Sequence, residues 1–337
     1  MIKGDLHNFG QAVRRVTLPD GSFWFKKPRP IYWEWLFFGK TSPLAEFFKF
    51  REAIFGLTVE FENDLFWGRS KAIEESKREV SSDKQLFGFG YLLGYAYAFG
   101  IQDLFSENVF GTEHGLQVID AEVVLSKFVL PQESFLLPFR GCAFERSGLS
   151  HLLNSESEIT QPILEKIIDG FCEALSAFNQ NGSKILEALL TELEAKEVPV
   201  RVLLRDTRDY RDWKTATPEK PWLAEELEQL ERGDVPYFFK HVGNPQLYFR
   251  SEDQTAKAVE ERAAFEKGVS LIGTHPSELL DLSRIRKVLF PSGVLFLLKK
   301  YIPKTWRGDF GSSHFAVKFD SEKISLESWW GDFQTQR

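Results

Sequence analysis

The chain has 337 residues, 43% hydrophobic and 27% charged, which allows one large globular domain or two lobes around a cleft. Its formal net charge of -7 argues against a general nucleic-acid partner. Two cysteines, Cys142 and Cys172, are too few for a disulfide framework or a zinc site and predict buried free thiols in a reducing compartment. No segment has the apolar core of a signal peptide or the length of a membrane span, so we expect a cytoplasmic protein without membrane contact.

The first hundred residues combine strands with two predicted helices. QAVRRVTLP and SFWFKKP flank Asp20-Gly21, a dipeptide typical of a β-hairpin, and Lys27 lies near the end of the second hairpin strand. Residues 43–57 predict a helix that begins at a proline. Residues 58–84 show no clear pattern. The segment that follows, QLFGFGYLLGYAYAFG, is apolar nearly all round and predicts a buried helix.

Helical patterns dominate the middle of the chain. An apolar stripe predicts a helix over 162–178, and NQNG then predicts a break before a second helix that Ser183 caps and that ends near residue 196. VPVRVLLRDT predicts a strand, and PWLAEELEQLERG predicts a helix with proline at its start and glycine at its end. The remainder alternates short helices and strands and ends in a polar tail.

Four side chains along this order fit the needs of phosphoryl transfer. Asp103 and Asn108 form a D-x4-N segment after the buried helix, and Asp120 follows at the end of an apolar strand. A carboxylate can orient an acceptor hydroxyl, and Asp and Asn oxygens can hold Mg²⁺. Lys27, on a strand that follows a glycine-bounded loop, supplies a cation for the phosphates of ATP. Glu122 can assist the metal or pair with a basic neighbour.

A lone D-x4-N segment is common, because Asp and Asn often form turns in loops. The order of loop, strand lysine, buried helix, D-x4-N and strand aspartate favours a catalytic site over that interpretation.

Six blocks in this order resemble the dehydratase domain of class II lanthipeptide synthetases. The blocks are GDLHNFG (4–10), FKKPRP (25–30), DLFSEN (103–108), VIDAE (118–122), VPVRVLLRDTRDY (198–210) and GDVPYF (233–238). They are similar to the family's GDxHxxG, YKPR, DxHxEN, IDxE, RxxxRxTxxY and GDIPYF motifs. The resemblance implies an α+β, bilobal, lipid-kinase-like fold with elimination-type elements added to the larger lobe. It implies a β-rich N-lobe over 1–85 and a mostly helical C-lobe over 86–337.

The resemblance also implies a two-step reaction. ATP, with Mg²⁺, first phosphorylates a Ser or Thr of a bound peptide, and the phosphate is then eliminated to leave a dehydroamino acid. Lys27 and Arg29 correspond to the family's phosphate-binding residues, and the first loop adds Asp5 and His7.

The predicted metal-binding residues are Asn108, Asp120 and Glu122. Arg201 and Thr207 correspond to the family's elimination residues, and Arg205 lies in the same block. The alternative is that Arg201 and Arg205 are strand residues paired with surface acids.

Two departures from the family keep other functions open. Phe105 stands where the family has the histidine of its DxHxEN loop, and no segment resembles the zinc-binding cyclase. We therefore expect a separate cyclase partner, or no ring formation. A kinase that stops at the phosphorylated peptide, protein or small molecule is one alternative function. A catalytically impaired binding module is the other.

Overall fold

The computed structural model combines helices with several small sheets of antiparallel strands, in agreement with the predicted α+β class. It describes residues 6, 9–62, 67–73, 81–126, 130–140, 142–194, 198–205, 207–211, 213–215, 221–253, 255–259, 281–302, 307–311, 315–320, 322–328 and 331–336. The predicted site residues Asp5 and His7 lie outside this set, and Thr207 is described only in its backbone.

The N-terminal sheet has the strand order β1-β2-β4-β3. Its strands are Arg14–Thr17 (β1), Phe23–Lys26 (β2), Val59–Phe61 (β3) and Gly68–Lys71 (β4). The predicted hairpin is confirmed, since Thr17 pairs with Phe23 across the loop that contains Asp20-Gly21. Gly21 has a φ of +81°, a left-handed conformation that glycine adopts without steric cost. Strands β3 and β4 lie within residues 58–84, for which no helix or strand was predicted.

Helix α1, Tyr32–Phe38, follows the first hairpin and was not predicted. Six of its seven residues are buried, including the acid Glu34. An amphipathic pattern marks a helix only when one face meets solvent, so a short helix buried on all sides carries no such signal.

The predicted helix over 43–57 is wrong. The segment forms two 3₁₀ turns, Pro43–Phe47 and Arg51–Ala53, and Phe48 between them is extended. The Phe48 ring lies in the core, with its centroid 5.0 Å from that of Tyr95 and 5.5 Å from that of Phe178. Insertion of this ring requires the chain to turn inward, and tertiary packing therefore overrides the local helical pattern.

The centre of the core is built from two long helices that pack together, α2 (Asp83–Phe99) and α3 (Gln161–Glu194). The prediction of a buried helix at α2 is confirmed. Ser82 and Gln85 form a capping box at its start. Gly90 permits close approach of the two helices, because a Cβ there would lie 1.9 Å from the carbonyl oxygen of Ile167.

The predicted break at NQNG is wrong, since α3 runs through it as one helix of 34 residues. Gly182, the last residue of NQNG, faces Leu282, whose side chain would lie 2.5 Å from a Cβ at that position. Ile185 and Leu189 beyond it are fully buried and continue the apolar stripe. Tertiary burial of the second half thus outweighs the low helix propensity of glycine and asparagine.

The remaining strands form one hairpin and two further sheets. The hairpin is Val109–Thr112 (β5) and Gly115–Val118 (β6). One four-stranded sheet, of order β10-β9-β8-β7, contains Pro199–Val202 (β7), Phe238–His241 (β8), Tyr248–Arg250 (β9) and Ala256–Ala258 (β10). The last sheet is a meander of Gly308–Gly311 (β11), Phe315–Phe319 (β12), Lys323–Ser328 (β13) and Gly331–Gln336 (β14). The other helices are Thr207–Arg211 (α4), Ala224–Glu231 (α5), Leu282–Arg284 (α6) and Phe290–Tyr301 (α7), with a π turn at Ile285–Leu289.

Strand β7 and helix α5 confirm the strand predicted at VPVRVLLRDT and the helix predicted at PWLAEELEQLERG. The expected polar tail instead ends in the strand β14, which pairs with β13 along its whole length. Among the described residues, no helix is both long and apolar enough to cross a bilayer.

Cys142 and Cys172 are free and buried, as predicted. Burial raises the pKa of the Cys172 thiol well above its usual range, and the nearby acids Asp169 and Glu173 act in the same direction. The thiolate is the reactive form, so both cysteines should be inert in the folded protein. A thiol-reactive chromophore at neutral pH should detect neither cysteine in the native chain and both in denaturant. Rapid native labelling would contradict this burial.

Candidate functional site

The β5–β6 hairpin brings Asn108 and Asp120 together. Val109 pairs with Val118, and the amide of Ile119 donates a hydrogen bond of 2.9 Å to the carbonyl of Asn108. Both predicted metal-binding residues therefore lie at the open end of the hairpin, although twelve positions separate them in the chain. The loop that starts at Asp103 leads directly into this end.

The side chain of Lys27 reaches the same place from the N-terminal sheet. Its Nζ donates a 2.7 Å hydrogen bond to Oε1 of Glu34, donates to the carbonyl of Ile119, and lies 3.8 Å from Oδ2 of Asp120. Lys27 is only 5% exposed. The predicted phosphate-binding cation is thus held between the helix α1 and the predicted metal segment.

Arg29 links three carboxylates. Its guanidinium pairs with Glu34 at 2.6 Å, contacts Oδ1 of Asp120, and brings Nε within 3.0 Å of Oε2 of Glu122. Burial by itself would lower the pKa of Arg29, but the charges of Asp120 and Glu34 outweigh it and raise the pKa. A guanidinium suits this position because its planar donors can serve several carboxylates at once.

Glu34, which was not among the predicted site residues, contacts both Lys27 and Arg29. Its signal was a single acid in the apolar segment YWEWLFF, directly after the strand lysine. A buried charge needs a partner, so an isolated acid in such a helix indicates a nearby cation. Protein kinases place a helix glutamate on their strand lysine in the same way.

Glu122 lies between two arginines. Oε1 pairs with Nη1 of Arg201, while Oε2 is within ion-pair distance of Arg29 but receives no aligned hydrogen bond from the described residues. This arrangement favours the interpretation that Glu122 pairs with basic neighbours over a role as a metal ligand.

The guanidinium of Arg201 also lies 5.2 Å from the ring centroid of Tyr237, a second residue to which the sequence analysis gave no role. Burial raises the pKa of the Tyr237 hydroxyl, and the charges of Arg201, Arg29 and Arg250 offset part of that increase.

The cluster contains three cations, Lys27, Arg29 and Arg201, and three carboxylates, Glu34, Asp120 and Glu122. The side chain of Asp120 is 29% exposed, whereas those of Glu34 and Glu122 are 1% and 10% exposed. Asp120 is therefore the carboxylate that a ligand can reach. Within the described ranges, no three His, Cys, Asp or Glu side chains converge on a possible metal position. Mg²⁺ at nucleotide sites commonly uses one or two protein oxygens plus phosphates and water, and Asp120 with the amide oxygen of Asn108 fits that donor set.

The loop before the hairpin holds Asp103 in an unusual conformation. Asp103 has a φ of +65°, which is uncommon for residues other than glycine and often marks functional sites. The side-chain nitrogen of Asn108 donates a 2.7 Å hydrogen bond to the carbonyl of Asp103 and closes the loop. The same amide group thus braces the loop with its nitrogen and leaves its oxygen for a ligand.

Arg205 forms an ion pair with a buried glutamate, Glu226. Its Nε donates to Oε1 of Glu226 at 2.8 Å, and Nη2 donates to Oε2 at 3.1 Å. Glu226 is fully buried and also accepts hydrogen bonds from the Tyr210 hydroxyl and from the backbone of Leu223 at the start of α5. Arg205 therefore pairs with an acid, as the alternative expects, but this acid is buried and not on the surface. The two donors of Arg205 fix α5 against the segment that follows β7.

The end of the first loop is docked on the GDVPYF block. The amides of Phe9 and Gly10 each donate a 2.8 Å hydrogen bond to the carboxylate of Asp234, whose other contact is Nε of Arg232 at 2.7 Å. Phe9 and Gly10 have φ values of +69° and +73°, which direct consecutive amides toward one anion. Asp234 thus fixes the end of the first loop at Phe9 and Gly10.

The residues of the six blocks that the structure describes form one connected network. FKKPRP contacts VIDAE, DLFSEN pairs with VIDAE beside the hairpin, and VIDAE contacts VPVRVLLRDTRDY through Glu122 and Arg201. GDVPYF contacts that last block through Tyr237 and contacts GDLHNFG through Asp234. No protein-family model matches this chain, and a search of curated proteins finds no match either.

Proposed function

We propose that this chain transfers the terminal phosphate of ATP to a Ser or Thr hydroxyl of a peptide, with Mg²⁺, and then eliminates the phosphate. The fold proposed for this activity is bilobal and lipid-kinase-like, with the N-lobe over 1–85 and the C-lobe over 86–337. The main observation in favour of the proposal is that Lys27, Asp120 and Asn108 lie together at the open end of the hairpin. Segments more than eighty residues apart supply these groups, and phosphoryl transfer needs that combination.

For the transfer step, Lys27 and Arg29 bind the nucleotide phosphates. Asp120 and Asn108 would hold Mg²⁺, which neutralises phosphate charge when bound. Asp103 orients the acceptor hydroxyl and takes its proton, from a loop that the side chain of Asn108 closes. Glu34 keeps Lys27 and Arg29 in place, since each donates to the same buried carboxylate.

For elimination, Arg201 stabilises the leaving phosphate while the Cα proton is removed. Two observations support this role. Arg201 lies in the same charge cluster through Glu122, so a phosphopeptide would not need to travel far. In addition, Nε of Arg201 is buried and has no hydrogen-bond partner among the described residues, which leaves a donor for a phosphate oxygen.

Mass spectrometry of peptides incubated with the chain, ATP and Mg²⁺ tests the proposal. Loss of one water from a Ser or Thr peptide supports the two-step reaction. Gain of one phosphate that persists supports a kinase that stops at the first product. Absence of both, with no ATP turnover and no thermal shift with ATP and Mg²⁺, contradicts the proposal and favours a binding module.

The variant Arg201→Ala should separate the two steps. We expect phosphopeptide to accumulate and dehydrated product to form about 100-fold more slowly, a loss typical of removing one transition-state donor. Time-resolved mass spectrometry measures both products. Arg69→Ala is the matched control. Arg69, on the strand β4, pairs with Glu60 of β3 at a partly exposed position. This variant should leave both rates unchanged. Undiminished dehydration by Arg201→Ala would show that elimination occurs elsewhere.

A further inference from the structure

The loop that carries Asp103 is held by a segment to which the sequence analysis gave no role. This segment comprises two 3₁₀ turns, Phe144–Arg146 and Gly148–His151. We call it the clamp segment. Its contacts with the loop bear on how Asp103 works without the histidine that Phe105 replaces.

His151 makes the first contact. Its Nε2 lies 2.7 Å from the carbonyl oxygen of Ser106, in the middle of the loop between Asp103 and Asn108. A carbonyl oxygen only accepts hydrogen bonds, so Nε2 must carry the proton and donate. This bond fixes the loop backbone from outside, whereas the Asn108 side chain braces it from inside.

Phe105 makes the second contact through its ring. The ring stacks on Phe135 with centroids 4.4 Å apart and planes 10° apart, and the guanidinium of Arg146 lies 4.7 Å from its centroid. Phe139 extends the stack beyond Phe135, at 5.2 Å. Phe105 is therefore a fixed part of a packed column, a role in which a ring and its flat faces are required.

The backbone completes the clamp. Phe105 forms an antiparallel bridge with Ser147, and the amide of Leu104 donates to the carbonyl of Ser134 at 3.0 Å. Gly148 permits the close approach, because a Cβ there would lie 2.8 Å from the Leu136 side chain and 3.3 Å from the carbonyl of Leu104. The loop is thus restrained on its backbone and at the Phe105 side chain, which can hold Asp103 at its positive φ.

We infer that His151 is a positioning residue for the phosphotransfer proposed above, acting through its hydrogen bond to Ser106. The inference rests on that proposed function for its kinetic consequence. Independently of that function, the clamp segment fixes the loop that carries Asp103, and the stack at Phe105 takes part in the same restraint.

Two variants of His151 distinguish the hydrogen bond from simple packing. His151→Phe keeps a ring next to Phe110 but removes the donor, whereas His151→Gln keeps an amide donor of similar reach. We expect His151→Phe to lower kcat about tenfold, the effect of one lost hydrogen bond of typical strength. The KM for ATP should stay within about twofold, because the Lys27 cluster is untouched. His151→Gln should recover most of the rate.

Ser150→Ala is the matched control. Ser150 lies in the same 3₁₀ turn and donates to the carbonyl of Ser147 at 2.8 Å, without a described contact to the loop 103–108. This variant should leave kcat unchanged. The inference is overturned if His151→Phe is as fast as the unmodified chain, or if His151→Gln is as slow as His151→Phe.

Hydrogen exchange separates failure of this inference from failure of the proposed function. The amide of Asn108 donates to the carbonyl of Phe105 at 2.9 Å inside the clamped loop. Its exchange should be about fivefold faster in His151→Phe than in His151→Gln, because loss of the clamp promotes local opening. Equal exchange in the two variants would overturn the clamp. If the unmodified chain phosphorylates no peptide while the exchange rates differ as expected, only the proposed function fails.

Discussion

Asp120→Asn is expected to lower phosphotransfer by about 1000-fold, because metal-assisted charge stabilisation contributes several kcal/mol and each 1.4 kcal/mol is a tenfold change in rate. The substitution preserves the shape of the side chain and removes its charge. Asp120 is the most accessible carboxylate of the cluster, and both Lys27 and Arg29 contact it. The same variant should bind ATP with Mg²⁺ more weakly, which titration calorimetry measures without any acceptor.

Asp332→Asn is a matched control, since Asp332 lies exposed on the terminal strand β14. It should leave nucleotide binding and transfer unchanged. Urea unfolding of both variants checks that the chain remains folded, because Asp120 also compensates two buried cations. Full activity of a folded Asp120→Asn variant would remove Asp120 from the metal site and leave the proposed mechanism without its main ligand.

Glu34→Gln should lower the free energy of unfolding by about 3 kcal/mol, the size of effect seen when one partner of a buried ion pair is removed. Glu34 is almost fully buried and compensates both Lys27 and Arg29, and an amide cannot replace its charge. We also expect a higher KM for ATP, since the lysine and arginine lose the carboxylate that orients them. Urea unfolding and nucleotide titration measure the two effects.

The control for Glu34→Gln is Glu60→Gln. Glu60 pairs with Arg69 at 2.6 Å, but both side chains are substantially exposed. Exposed pairs contribute about 0.5 kcal/mol, so this variant should be close to neutral. A similar, small loss for both variants would mean that water reaches the Lys27 cluster and screens its charges.

The sequence predicted elements whose signals are local. The hairpin at Asp20-Gly21, the buried helix α2, the strand β7 and the helix α5 each have a turn residue, an apolar pattern or a cap within a few positions. The prediction failed where distant residues outweigh local preference. Phe48 inserts into the core and interrupts the expected helix over 43–57, while packing against Leu282 carries α3 through NQNG.

In the candidate site, too, some residues were predicted from the sequence and others were found only in the tertiary structure. The spacing of Asp103, Asn108 and Asp120 indicated a phosphotransfer loop, and Lys27 followed from its place on a strand. Glu34 and Tyr237 acquired a role only in three dimensions, because their partners are cations from other segments. Arg201 and Arg205 belong to the same block of the sequence, VPVRVLLRDTRDY. The structure places Arg201 on Glu122 beside Asp120, and it places Arg205 on Glu226 at the start of α5.

By itself, the sequence determined a mixture of helices and strands, the buried thiols and the residue types on which the proposal of phosphoryl transfer rests. These follow from composition, periodicity and spacing, which act over a few residues. Only the tertiary structure decided which charges meet. A buried cation must lie beside a carboxylate, and the chain supplies three of each from α1, the segment between β2 and α1, the segment after β6, and β7. The clamp of His151 on Ser106 is also tertiary, since 45 positions separate its partners.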